Sequence, residues 1–199
     1  NIECPICRSR KHLVVESILY WCNECKVPLY EQVCGCCGKK GKKFVKDCRI
    51  VFPEEKVLLE ILLGKEQGEL DNVSVWNGNG NIYYADGKNM KLKISELIKQ
   101  ETENIRTLYN ERVQHINTDF FEQMVKRFIT ANKKRFDDID DDAMVQIKKK
   151  VKDYDDREIF VSFSGGKDST VVADLVKRAM GRPDICHIFG DTTVSYIHL

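Results

Sequence analysis

The sequence predicts an α/β chain assembled from unlike parts, and three observations predict it. Residues 159–170 run from an apolar β-forming stretch through a Ser-Gly-Gly turn into helical periodicity, and a second β-rich stretch follows at 185–189. Seven of the nine cysteines crowd into the first 37 residues. Residues 95–154 carry helical patterning, with a short strand-rich segment before them. The expected organisation is a Cys-rich metal module over 1–52, a helix plus small β module over 53–94, a helical lead-in over 95–157, and the start of a parallel-sheet domain over 158–199.

With 32 basic and 31 acidic residues, the chain of 199 residues has a formal net charge of +1. That balance gives no global attraction to nucleic acid or to a membrane surface. No apolar run is long enough to span a bilayer, and no signal-peptide pattern is present. A soluble, cytoplasmic chain without a membrane partner is therefore expected. In such a compartment clustered cysteines indicate metal more often than disulfides.

The cysteines fall in pairs: Cys4-Pro5-Ile6-Cys7, Cys22-Asn23-Glu24-Cys25 and Cys34-Gly35-Cys36-Cys37. Each Cys-x-x-Cys pair forms a tight turn, and two pairs complete a tetrahedral four-sulfur site for Zn²⁺. Two combinations are open. Cys4 and Cys7 with Cys22 and Cys25 would enclose a β-rich stretch, as in a zinc ribbon; Cys22 and Cys25 with Cys34 and Cys37 would be more compact. Four thiolates could also hold an iron–sulfur centre, but Zn²⁺ is the commoner occupant of close pairs. Such an ion is structural, because four thiolates leave no open position for a substrate. His12 and Cys48 are spare ligand types, read as ordinary packed or exposed side chains, and Cys36 is read as a bystander.

Pro53 suits the first position of a helix, Glu54 and Glu55 complement its dipole, and Gly64 ends it. Val57, Leu58, Ile61 and Leu62 are its expected apolar face. From Val73 to Ile94, β-forming residues alternate with Asn-Gly and Asp-Gly turns, the signature of hairpins. Trp76, Tyr83 and Tyr84 with Lys88, Lys91 and Lys93 could grip a single strand of RNA or DNA, but filling a small core is the preferred reading. Ser95 and Thr118 are expected to cap two helices, the second carrying Phe120, Phe121, Met124, Val125, Phe128 and Ile129 as a core stripe. A third helix is expected from about Asp140, with the Asp137–Asp142 run at its start and Lys148–Lys150 at its end. That acidic run lacks the central glycine and closing Glu of an EF-hand loop.

The stretch Ile159–Thr170 reads as strand, glycine turn, helix N-terminus. Unpaired N–H groups at a helix start, together with the helix dipole, attract an anion. The spacing is not that of the Gly-x-x-x-x-Gly-Lys-Ser/Thr loop. Ser164-Gly165-Gly166-Lys167-Asp168-Ser169 resembles, letter for letter, the SGGxDS signature of PP-loop ATP pyrophosphatases. Val161-Ser162-Phe163 and the lysine resemble the phosphoadenosine phosphosulfate (PAPS) reductase branch. Residues Trp21–Leu29 resemble the zinc module ahead of the nucleotide domain in extended members of that family, which favours Cys22, Cys25, Cys34 and Cys37 as the ligand set. The Phe52-Pro53-Glu54-Glu55 block is also similar, and the β module resembles a PUA-like RNA-binding domain.

The resemblance implies a truncated adenine-nucleotide alpha-hydrolase-like domain in which Ser164, Gly165, Gly166, Lys167, Asp168 and Ser169 hold the phosphates of ATP or PAPS. Asp168 would reach Mg²⁺ directly or through water, and Asp191 and Thr192 would face the adenosine. In the reductase branch the loop would hold the phosphosulfate end while a thiol, normally from a C-terminal Cys motif that has no counterpart after Asp191 here, attacks the sulfur of PAPS, with a thiol reductant as a partner. In the pyrophosphatase branch the loop holds the leaving diphosphate while a substrate such as RNA or DNA is adenylated for sulfur transfer. A non-catalytic zinc- and nucleotide-binding module is the third reading. Family domains have about five parallel strands, and sheets of about that size are usual. This sequence supplies two of them, at 159–163 and 185–189. The chain is therefore expected to be a fragment, inactive alone, or to have its sheet completed by another chain.

Overall fold

The computed structural model describes residues 18–79, 82–92 and 102–190. Cys4, Cys7, His12, Lys93, Ser95, Asp191 and Thr192 lie outside them. The chain is mixed α/β, with five α-helices and three small sheets among the described residues. It divides into two compact units between Lys133 and Lys134.

In the first unit, β1 (Tyr20–Cys22), β2 (Val27–Leu29) and β3 (Lys42–Lys43) form an antiparallel sheet in the order β2-β1-β3. A second antiparallel sheet has the order β4-β5-β6-β7: Cys48–Ile50, Val75–Gly78, Ile82–Ala85 and Lys88–Asn89. The Asp86-Gly87 turn between β6 and β7 has φ of 49° and 78°, the left-handed pair that an Asp-Gly hairpin favours. Helix α1 (Pro53–Leu62) begins at the proline and stops where Gly64, at φ 64°, lets Lys65 N–H return to the Glu60 carbonyl.

The buried face of α1 is the expected one in part: Val57 and Ile61 are buried, and Leu62 is half-buried. Leu58 is exposed, whereas Lys56 and Glu60 are buried. Lys56 Nζ donates to the carbonyls of Leu70 (3.1 Å), Asp71 (3.4 Å) and Val73 (2.8 Å). Glu60 accepts from the N–H groups of Gly68 (3.1 Å) and Leu70 (2.6 Å). The loop after the helix thus obtains part of its hydrogen bonding from two charged side chains, beside its own turns such as Asp71 N–H to the Gly68 carbonyl, and the buried face includes both.

Helices α2 (Thr102–Arg112) and α3 (Asp119–Ala131) follow. Thr118 makes no side-chain cap; Asn117 Oδ1 accepts from Asp119 N–H instead, at 2.9 Å. The ribbon, the second sheet and α3 share a core of Trp21, Val27, Leu29, Trp76, Met124 and Ala131, with Phe120, Phe121 and Phe128 packed against it. Ser74 joins the layers: its hydroxyl donates to the Lys26 carbonyl (2.5 Å) and accepts from the Trp76 indole (2.9 Å). Trp76 is only 2% exposed, so it fills the core and offers no face to a nucleic-acid base.

The second unit contains α4 (Lys133–Val151), β8 (Phe160–Phe163), α5 (Lys167–Met180) and β9 (Cys186–Phe189). Helix α4 starts seven residues before the expected Asp140, so the acidic run lies inside the helix. Pairing compensates for that placement: Lys134 binds Asp138 one turn on (2.7 Å), and Arg178 of α5 binds Asp140 with both terminal nitrogens (2.7 and 2.6 Å). β8 and β9 are parallel, with Phe160 opposite Cys186 and Phe163 opposite Phe189. Val161, Ala173 and Ile185 form the core beneath α5. Gly181, at φ 64°, ends α5 as its sequence predicts.

Candidate functional site

Two constellations carry chemistry, one in each unit. The first is built by two turns of the same design. In Cys22–Lys26 the Lys26 N–H returns to the Cys22 carbonyl (2.9 Å); in Cys34–Gly38 the Gly38 N–H returns to the Cys34 carbonyl (2.8 Å). The last residue of each turn is left-handed, Lys26 at φ 59° and Gly38 at φ 71°. β1 and β2 carry the first turn, and the Val33–Lys40 bridge closes the loop holding the second.

The result is a cluster of Cys22, Cys25, Cys34 and Cys37 whose sulfurs all lie within 4.8 Å of one another. Cys22 and Cys37 sulfurs are 3.5 Å apart, and those of Cys25 and Cys34 are 3.7 Å apart. A zinc tetrathiolate with Zn–S bonds of about 2.3 Å requires sulfurs about 3.8 Å apart. The set therefore fits one tetrahedral metal ion and is compatible with structural zinc. The separations are far longer than a disulfide bond. Burial pushes the thiols of Cys22 and Cys25 up, whereas the Lys39 N–H beside Cys37 holds its thiol down. A cation at the centre would make all four thiolates stable. Cys36 is exposed beside the cluster, and Cys48 packs against the core, where burial pushes its thiol up to about 12.

Helix α3 clamps this centre from outside. Gly35 N–H, in the second turn, donates to the Ala131 carbonyl at 2.9 Å. An added Cβ at Gly35 would stand 2.9 Å from that oxygen, so the approach requires glycine. Asn132, just past α3, holds the outer edge of β2: its Oδ1 accepts from Tyr30 N–H (2.8 Å), and its Nδ2 donates to the Pro28 and Phe128 carbonyls (2.9 Å each). Neither Asn132 nor the buried pair Lys56 and Glu60 is marked by sequence pattern.

The second constellation is the loop after β8. Gly165 takes φ 77°, and Gly166 is the N-cap of α5, which has no side-chain cap. Ser164, Gly165, Gly166, Lys167 and Asp168 are exposed and Ser169 is half-buried. The first helical hydrogen bond runs from Thr170 N–H to the Gly166 carbonyl (3.1 Å), so the first-turn N–H groups have no acceptor within the helix. Ser169 Oγ donates to the Gly166 carbonyl (2.8 Å) and lies 3.3 Å from Ser164 Oγ. The turn opens at the carboxyl end of β8, where parallel-sheet ligands bind. His187 is a strand residue of β9 with its ring edge-on to Phe163, at 6.2 Å between centroids. A concavity of about 280 Å³ lined by Ile147, Ile159, Phe160 and Val176 lies at the opposite, amino end of β8.

No family model, curated protein or solved structure matches this chain. Among the described residues no helix is long and apolar enough to cross a membrane.

Proposed function

We propose that the chain carries the nucleotide-binding start of a PAPS-reductase-like enzyme of sulfur metabolism, with Zn²⁺ as a structural ion in the four-cysteine centre. One observation carries the reading: residues 164–166 form a sharp, exposed turn with a left-handed glycine, between the carboxyl end of a strand and the start of a helix that has no side-chain cap. That geometry supports the binding of an oxyanion by the N–H groups of the first turn of α5, reinforced by the Ser164 and Ser169 hydroxyls and Lys167. In this reading Asp168, exposed in the first turn of α5, would hold Mg²⁺ against the phosphates directly or through water. In the reductase reaction a thiolate attacks the sulfur of PAPS. The sulfur–oxygen bond breaks, and its electron pair leaves with the nucleotide phosphate. The part of Ser164–Ser169 is to bind and orient that phosphate end.

The test is equilibrium binding of PAPS and of ATP with Mg²⁺ to the metal-loaded chain and to its Ser164→Ala and Gly165→Val variants. The reading expects nucleotide binding that inorganic pyrophosphate displaces, and a weakening of roughly tenfold or more in each variant, because a charge-assisted bond or the turn itself is lost. Binding of ATP but not PAPS would replace the reductase reading with adenylation for sulfur transfer. Equal binding by wild type and variants would remove the loop from the site.

A further inference from the structure

Residues 39–46 contain Lys39, Lys40, Lys42, Lys43 and Lys46 and no acid, in a chain whose formal net charge is only +1. Lys42 and Lys43 are the whole of β3, the edge strand of the ribbon sheet, and both are exposed. Lysines on one edge strand can simply prevent edge-to-edge pairing. Here the charge continues beyond the edge. The β6–β7 hairpin is seated on the ribbon: the Cβ position of Gly87 is 2.5 Å from the Trp21 indole, Tyr84 stacks edge-on against Phe44 at 4.8 Å, and Asp86 pairs with Lys26 at 3.1 Å. Lys42 lies directly opposite Trp21 in the β1–β3 register and so shares its face of the sheet. Lys88 directly follows Gly87 and is exposed on β7. Lys42 and Lys88, from two different sheets, therefore flank one buried indole. Lys40, Lys42, Lys43, Lys88 and Lys91 are all exposed and make no ion pair among the described residues.

We infer that this ribbon-and-hairpin surface is a docking strip for the phosphodiester backbone of a nucleic-acid strand. The reading is independent of the loop at 164–169. Point charges strung along an edge strand and a hairpin suit a polyanion that releases counterions on binding, not one small anion, which needs convergent donors. Lysine is depleted at the cores of protein–protein interfaces, which argues against an acidic protein. The two tryptophans of the region, Trp21 and Trp76, are 4% and 2% exposed, so they provide no stacking platform for bases. Recognition then follows the backbone and carries little sequence preference.

A competing account is that the lysines only balance the two net negative charges of a zinc tetrathiolate. The experiment separates the two. Fluorescence anisotropy of short labelled single strands of RNA and of DNA, in several sequences, is measured against salt with the metal-loaded whole chain. If all five unpaired lysines engage phosphates, the slope of log affinity against log salt is about −3.5. The Lys42→Ala, Lys43→Ala, Lys88→Ala variant should retain its metal, weaken every sequence by roughly tenfold or more, and lower the slope to about −1.4. The corresponding Lys→Arg variant keeps the charge and should bind like the wild type. Binding of RNA and DNA alike, or of either alone, supports the strip and names the source of the phosphodiester. The inference is overturned by no binding to the wild-type chain, by an alanine variant that binds normally while releasing metal faster to a chelator, or by polyglutamate displacing the strand as effectively as unlabelled RNA.

Discussion

Asn132→Ala tests whether α3 supports the metal centre. The Asn132 side chain is 4% exposed overall and makes three hydrogen bonds, two of them to the edge of β2. A typical bond contributes about 1 kcal/mol net, and a buried group left without a partner costs about 1–3 kcal/mol. The Pro28 carbonyl is the group that alanine strands most completely, because its bond to Asn132 is buried. Adding that penalty to the loss at the partly buried Tyr30 N–H gives a destabilisation of about 2–4 kcal/mol. Asn132→Asp keeps the shape but turns a donor toward two carbonyls into an acceptor, so it should be at least as damaging. Urea unfolding of the metal-loaded chain, followed by tryptophan fluorescence, reads this directly: both tryptophans, Trp21 and Trp76, belong to the core that Asn132 closes. Chelator-driven metal release should accelerate in parallel, since β2 continues from the first cysteine turn. An alanine variant within about 0.5 kcal/mol of wild type, the scatter of an ordinary surface substitution, would refute the clamp.

Three further outcomes follow from the same unit. Gly87→Ala introduces a Cβ 2.5 Å from the Trp21 ring at a residue with φ 78°, and should cost about 2–4 kcal/mol in the same urea assay, with a wild-type midpoint as the contrary result. Cys34→Ser should lower both the bound metal and the unfolding midpoint, whereas Cys36→Ser, at an exposed position outside the cluster, should change neither; elemental analysis after dialysis decides. Burial lowers the Lys56 ammonium to about 8, against an ordinary value of 10.5, so below pH 8 the folded state bears the cost of burying the charge. Above pH 8 the folded protein sheds that proton before the unfolded chain does, and stability should rise with pH. Between pH 8 and 9 the slope should be upward in wild type and absent in Lys56→Met; above that, the raised Cys48 and Tyr83 groups, each near 12, oppose it.

What could be read from the sequence was whatever short-range chemistry decides. The Asp86-Gly87 hairpin, the stops at Gly64 and Gly181, and the strand–turn–helix at 160–167 depend on residues within a few positions of one another, and each is present. The cysteine pairs announced a four-sulfur site, and spacing alone left open which pairs shared it. The Val33–Lys40 bridge and the turn it closes bring Cys34 and Cys37 to Cys22 and Cys25.

What misled was side-chain type taken as a proxy for exposure. Lys56 and Glu60 fall outside the expected apolar face, yet both are buried, where they bind backbone groups of the loop at 68–73. The Asp137–Asp142 run read as a helix start because its cations, Lys134 and Arg178, lie outside the run, the second on another helix. Trp76, by contrast, fills the core as the preferred reading expects, with the Ser74 hydroxyl accepting its indole N–H. For Lys56 and Glu60 the deciding partners lie 8 to 17 residues away, and a buried charge is unfavourable unless such polar groups meet it; for Asp140 the partner, Arg178, is 38 residues away in an exposed ion pair. The same rule bears on the exposed lysines of β3 and β7: within the described residues nothing meets them, and they remain hydrated charges open to a partner. A phosphate backbone can supply that partner without requiring them to leave water fully, which is why a salt-dependent, sequence-indifferent affinity is the signature expected of that surface.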